Sequence, residues 1–403
     1  MRYVLVMAIF PRVREQHIAV FGESGSGKTV LVSSFFGPTQ EGSYRNDLWD
    51  LVARDTGQGH RLYQNYLGMR DEARTPLVTT FNSTTYGFSV KLKAGTSDES
   101  RKRPFDELHL AWHDYPGEWF TEDPSSDEED RRRTETWMDL LRSDVALLLV
   151  DGQKLLDHQG EEERYLKSLL NNFRLSILRT KDALLAEHGP LVEFPRIWIF
   201  ALSKSDLLPD WDVDTFRDLV IRKAAGEIDR LRSTIGELIE TPEALSLGED
   251  FILLSSAKFE LTADSDDAVD IDVTKRVGLD LVLPIASLLP LERRVQWQEQ
   301  FSIPWKVVDS LADGADVIAA ALTGAKYKTV EKILERIARS NRGTAIVSSA
   351  LPYLEKAVRI AGPRLKEMHE QALAQQENLR ATLLQFKVDM EQGVTEKILV
   401  KRK

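Results

Sequence analysis

The chain contains no cysteine among its 403 residues. Disulfides, thiolate zinc sites and cysteine nucleophiles are therefore excluded, and the absence fits a reducing compartment. Histidine is scarce, with 7 residues, which argues against a histidine-rich metal centre. No uninterrupted apolar run approaches the roughly eighteen residues that suggest a membrane-spanning helix, so no transmembrane segment is expected. The opening MRYVLVMAIFPRVREQ holds a short apolar run behind a single arginine, with no small-residue cleavage site after it. It reads as a first strand or a mobile N-terminus, and the expected location is cytoplasmic. Positive charge is also lacking, since the formal net charge is −11, which speaks against broad nucleic-acid binding. From Leu291 to Lys403 there are 19 Lys+Arg against 14 Asp+Glu, a surplus of five, so the remainder carries 34 against 50. Five charges spread along a helical tail read as a solvated face rather than a basic docking surface.

The length exceeds what one hydrophobic core usually serves. The expected division places an α/β domain at residues 1–290 and a helical C-terminal module at 291–403. Strands are expected at His17 to Phe21, TTYGFSVKLK, ELHLAWHD, DVALLLVDG, PRIWIFALSKSD and DFILLSSAK. DVALLLVDG is nearly continuous in apolar residues, as a parallel strand buried on both faces must be. Helices are expected at RNDLWDLVARD, around GHRLYQNYLGM, at TWMDLLRS, and at two long stretches between the later strands. Alternating strands and helices of this length imply a mostly parallel sheet between two helical layers. TEDPSSDEEDRRRTE, about 121–134, reads as a mobile acidic insertion. Beyond residue 290 the pattern is helical, with Val330, Ile333, Leu334 and Ile337 on one face and Leu365, Met368, Leu379, Leu383 and Leu384 as a broken stripe.

GESGSGKT, from Gly22 through Glu23, Ser24, Gly25, Ser26, Gly27 and Lys28 to Thr29, fits G-x-x-x-x-G-K-[ST] without a mismatch. A triphosphate needs backbone N–H groups that approach closely, which the glycines permit. Lys28 reaches the β- and γ-phosphates, the Thr29 hydroxyl suits Mg²⁺, and the helix that continues through Val30 points its positive end at the same anions. A strand before and a helix after make this a nucleotide site of the P-loop NTPase fold.

Three further stretches follow strands. Asp114 to Gly117 is D-x-x-G, in which the carboxylate would serve Mg²⁺ and the Gly117 N–H the γ-phosphate, a switch released on hydrolysis. Ser203-Lys204-Ser205-Asp206 has the form of a guanine reader: Asp206 would accept from N1–H and the 2-amino group, and Lys204 would lie along the ring. Ser203 stands where Asn or Thr is usual. Ser255-Ser256-Ala257-Lys258 contains S-A-K, with the Ala257 N–H directed at guanine O6. Glu118 follows the switch glycine, where an attacking water is oriented in many GTPases; as a base it would catalyse, as an acidic residue opening a helix it would only stabilise the turn. Trp119 and Phe120 are expected to pack beneath it. A threonine completing the Mg²⁺ shell is sought before TTYGFSVKLK, with Thr79 and Thr80 preferred and Thr84 third. Arg70, Arg74 and Arg131 to Arg133 read as solvated.

The order of these motifs resembles the translation-factor-related P-loop GTPases. GESGSGKT, DYPGEW and DVALLLVDG bring a narrower resemblance to the YcjX-like stress-protein family, over roughly the first 290 residues. The resemblance implies a regulatory GTPase; the motifs themselves bring the expectation of GTP/GDP and Mg²⁺, of Lys28, Gly117 and Glu118 at the reacting phosphate, and of slow intrinsic turnover. Two other readings fit the cradle alone, an ATP-hydrolysing P-loop enzyme and a nucleotide-binding scaffold without significant hydrolysis. The helical tail suggests a protein partner or self-association.

Overall fold

The computed structural model describes residues 13–76, 84–93, 107–114, 117–120, 124, 126–186, 190–191, 196–261, 269–301, 362–375, 378–394 and 396–400. The strands are β1 (Val13–Phe21), β2 (Trp49–Ala53), β3 (Thr84–Leu92), β4 (Glu107–Asp114), β5 (Val145–Asp151), β6 (Ile197–Ser203), β7 (Ser246–Leu253), β8 (Lys258–Leu261), β9 (Val269–Asp272) and β10 (Ile398–Leu399). Eight of them form one sheet in the order β10-β7-β6-β5-β1-β4-β3-β2, and β8 and β9 form a separate hairpin. The five central strands β7, β6, β5, β1 and β4 are mutually parallel, while β10 at one edge and β3 and β2 at the other run antiparallel to their neighbours.

The helices among the described residues are α1 (Lys28–Phe36), α2 (Thr56–Glu72), α3 (Asp127–Leu140), α4 (Gly152–Asp157), α5 (Glu162–Ala186), α6 (Val213–Gly236), α7 (Val282–Phe301), α8 (Gly362–Ala374) and α9 (Asn378–Gly393). Successive strand residues point to opposite faces, and β1 shows the consequence. Ile18 and Val20 enter a core shared with α1, α7, α8 and α9, whereas Ala19 and Phe21 enter a second core with α3, α5 and α6. β5 and β6 divide in the same way, so every position of VALLLVD and IWIFALS is buried. This is the expected three-layer α/β sandwich.

Four local expectations are corrected. RNDLWDLVARD contains a strand, not a helix: Trp49, Leu51 and Ala53 sit opposite Leu92, Val90 and Phe88 in β3, a period of two that its five residues obey better than a helical period. The acidic stretch expected to be a mobile insertion is mostly helix, α3. Ser126 Oγ accepts from the Glu129 N–H at 3.2 Å, and residues Asp127 to Asp130 fill the first turn. One turn apart along the helix, Glu129 pairs with Arg133 and Arg131 with Glu135. Acid at the start of a helix complements its dipole, a pattern that composition alone mistakes for a loop. Third, strand structure does not end at DFILLSSAK, because β8, β9 and β10 follow it. Fourth, Arg133 is not solvated; it is buried with its guanidinium over the Trp119 ring at 5.5 Å. The stripe from Val330 to Ile337 lies outside the described residues.

Residue 290, the expected boundary, falls inside α7. The residues that follow it are tied to the sheet: the Arg293 guanidinium pairs with Asp250 in β7, both buried, and Ser246 Oγ donates to the same carboxylate at 2.7 Å. Lys387 of α9 likewise pairs with Glu292 of α7. Among the described residues no helix is long and apolar enough to cross a membrane.

Asp250→Ala removes the carboxylate from a buried guanidinium, a change expected to cost about 3–5 kcal/mol. Urea unfolding followed by circular dichroism checks this, and a midpoint within error of the parent would contradict the role given to the pair.

Candidate functional site

One cavity of about 440 Å³ lies at the carboxyl ends of the parallel strands. Its wall contains Ser24 to Leu31, Asp114 and Gly117, then Ser203, Lys204 and Asp206, and finally Ser255 and Ser256. Four stretches spread over more than two hundred residues thus face one space. The P-loop turns through Gly25 and Gly27, whose φ angles of 77° and 89° are left-handed and suit glycine. α1 begins at Lys28, so the N–H groups of its first turn open into the cavity. The Lys28 ammonium is buried and donates to the carbonyls of Gly22 at 2.7 Å and Glu23 at 3.0 Å. Burial pushes its pKa down, and the carboxylates of Asp114, Glu118, Glu23 and Asp151 push back. An arriving phosphate adds negative charge beside this desolvated ammonium and favours its charged form.

The residues of the D-x-x-G stretch lie against the same loop. Thr29 Oγ1 donates to Asp114 Oδ2 at 2.8 Å. Gly117 packs so tightly on the P-loop that a Cβ there would overlap the Ser24 amide nitrogen and the Glu23 carbonyl carbon. Ser24 Oγ donates to Glu118 Oε1 at 2.7 Å, so this carboxylate is held against the P-loop, although Glu118 itself does not line the cavity. It also opens the short 3-10 turn Gly117–Phe120, whose Trp119 is anchored in the second core. Behind the site, His113 is buried between His17 Nδ1 and Thr85 Oγ1, each at 3.0 Å. Burial, aided by His17, lowers its pKa to about 4, so it places no positive charge beside Asp114 at neutral pH.

At the opposite end of the cavity Asp206 is held in place. Ser255 Oγ donates to its Oδ1 at 2.6 Å and the Phe259 N–H to its Oδ2 at 3.2 Å. Lys204 has a left-handed φ of 53°, a conformation costing a non-glycine residue about 1–3 kcal/mol. Its Nζ is fixed by Asp151 Oδ2 at 2.9 Å. The Ser203 hydroxyl turns away to the Val150 carbonyl at 3.4 Å, tying β6 to β5.

A family model, Double-GTPase 2, matches residues 16–229, more than half of the chain. The chain belongs to the Double-GTPase 2 family. Guanine-nucleotide binding by a P-loop GTPase fold follows from that membership. A comparison with curated proteins gave no match.

In this Double-GTPase 2 member the remaining expected site residues separate into three groups. Glu23 and Val30 sit at the loop and on α1; the Glu23 carboxylate pairs with Lys154 at 2.7 Å. Ala257 and Lys258 do not line the cavity: Ala257 is packed with Tyr66 and Met69 of α2 and Ile271, and Lys258 is exposed. Of the expected S-A-K residues Ser256 lines the cavity, joined by Ser255 before it. Thr79 and Thr80 lie outside the described residues, while Thr84 is paired directly with Asp114 across the β3–β4 ladder.

Thr75, Pro76, Gln153, Leu207 and Phe259 also line the cavity, and no motif in the sequence points to them. For Gln153 a signal exists, since Asp151 caps α4 by accepting the Gln153 N–H at 2.9 Å, and an Asp-Gly ending a buried strand marks such a helix start.

Gly117→Ala cannot keep the Gly117–Phe120 turn against the P-loop. GTP turnover is expected to fall about tenfold or more, equivalent to about 1.4 kcal/mol in the barrier, with GDP affinity little changed. Phosphate release and calorimetry read the two quantities; an undiminished rate would contradict the close packing seen here.

Proposed function

We propose that the chain is a Mg²⁺-dependent regulatory switch that binds GTP and hydrolyses it slowly. The observation that carries this reading is the convergence of Thr29 and Asp114 beside Lys28, a hydroxyl and a carboxylate oxygen 2.8 Å apart. These hard oxygen donors suit Mg²⁺, which keeps waters and phosphate oxygens as its other ligands. When bound, the ion would neutralise charge on the β- and γ-phosphates. Lys28 would hold the same phosphates, the Gly117 N–H would sense the γ-phosphate, and Asp206 with the Ser255–Ser256 turn would select guanine over adenine.

Glu118 is assigned to the attacking water. Its support is the bond from Ser24, which turns the carboxylate toward the P-loop rather than to solvent. A carboxylate beside the γ-phosphate works against phosphate charge, and if Glu118 does not act on the water, turnover on the order of 10⁻³ per second or below is expected, as in unassisted small GTPases. The likeness to YcjX-like stress proteins and translation-factor-related GTPases supports a regulatory role and names no partner. The C-terminal helices share a core with α1, which makes them the proposed route from the switch to a protein partner or a second copy. The lack of cysteine supports a cytoplasmic setting.

Phosphate release from GTP, followed with Mg²⁺ and with excess EDTA, tests the metal requirement; equal rates in both would contradict it. Glu118→Gln is expected to leave GTP affinity nearly unchanged and to slow release about 10²-fold. An unchanged rate would reassign Glu118 to stabilising the turn that it opens.

A further inference from the structure

The base end of the cavity contains an aromatic residue to which none of the nucleotide motifs assigns a role. Phe259 follows Lys258 in the hairpin β8–β9. Its backbone N–H grips Asp206 Oδ2 at 3.2 Å, so its position is set by the carboxylate that would read guanine. Its side chain is only partly buried, and the residue lines the cavity together with Lys204, Asp206 and Leu207. The inner part of the ring rests on the cluster formed by Tyr66, Met69, Ala257, Ile271 and Val273. A phenylalanine serving only the core would be enclosed there. This one is held from behind by α2 and β9 and open in front.

We infer that Phe259 is a positioning residue whose ring forms the aromatic wall of the nucleobase slot. The inference rests on the guanine reading given above and deepens it. A base hydrogen-bonded through its edge to Asp206 still needs an apolar surface against its face, because a carboxylate alone fixes direction and not the plane of the ring. Phe259 is positioned for this by the hydrogen bond its own backbone makes, and the Lys204 stem contributes to the same slot. An aromatic face takes any base, so Phe259 supplies affinity and orientation while Asp206 supplies the choice of guanine. The hairpin also explains the burial of Ala257: packing it under α2 aims the chain that follows back toward the base.

The test compares calorimetric titrations of GDP and of inorganic tripolyphosphate, both with Mg²⁺, into the full chain and into Phe259→Leu and Phe259→Trp. Leucine keeps the apolar cluster filled and removes the aromatic face. Phe259→Leu is expected to weaken GDP about tenfold, or about 1.4 kcal/mol, and to leave tripolyphosphate binding unchanged, with Phe259→Trp restoring GDP affinity. GDP affinity within twofold of the parent in Phe259→Leu would overturn the inference, as would a parallel loss for both ligands, which marks a structural residue. If the parent chain binds ADP as well as GDP, the guanine reading fails by itself. A loss by Phe259→Leu of both nucleotides, but not of tripolyphosphate, would then still support the stacking wall.

Discussion

Five parallel strands end side by side along one edge of the sheet, and this shared direction brings Ser24, Asp114, Asp206 and Ser256 to a single cavity. Parallel pairing requires that each strand be followed by a crossover, so the turns leaving β1, β4, β5, β6 and β7 all open toward the same side. The chemistry is then a matter of what each turn carries. β1 delivers backbone N–H groups and Lys28; β4 delivers a carboxylate and a glycine; β6 and β7 deliver Lys204, Asp206, Ser255 and Ser256. Reversing one of these strands would remove its motif from the site altogether.

The second constraint is closeness. Gly117 touches the P-loop backbone with no room for a side chain, and Ser24 reaches Glu118 across the same gap. A phosphate group at this junction would meet the loop amides, the ammonium of Lys28 and the switch turn at once. The turn is firmly held from behind, because Trp119 sits in the core under Arg133 of α3. The Gly117–Phe120 turn is thereby packed against α3, and on the other face α1 is packed with the C-terminal helices. The buried pair of Arg293 with Asp250 fixes α7 to the sheet, and the pair of Lys387 with Glu292 joins α9 to α7. Removing one partner of a buried pair leaves an uncompensated charge, so this arrangement is costly to disturb.

Much of this is legible in the sequence for a physical reason. Phosphate binding by backbone requires glycines and a lysine at set spacing, and doubly buried strands require unbroken apolar runs. Both leave marks within eight or nine consecutive residues. What is not legible depends on contacts between distant segments. The S-A-K spacing points to Ala257, but the packing of α2 against Ala257 leaves Ser256 at the cavity. Phe259 carries no mark because its role comes from Asp206, more than fifty residues earlier. β2 is hidden by its brevity, and α3 by charges that stabilise its first turn while resembling a solvated loop.

The proposed preference for guanine rests on Asp206, at the far end of the cavity from the P-loop. Calorimetric titration of GTP and ATP, with Mg²⁺, into the parent chain and into Asp206→Asn addresses it directly. The parent is predicted to prefer GTP by at least about 10²-fold, since the adenine edge lacks both donors that the carboxylate accepts and leaves it unpaired. Asp206→Asn is predicted to lose that preference while still binding nucleotide through the unaltered P-loop. Equal binding of ATP and GTP by the parent, or a preference that survives the substitution, would contradict the central claim.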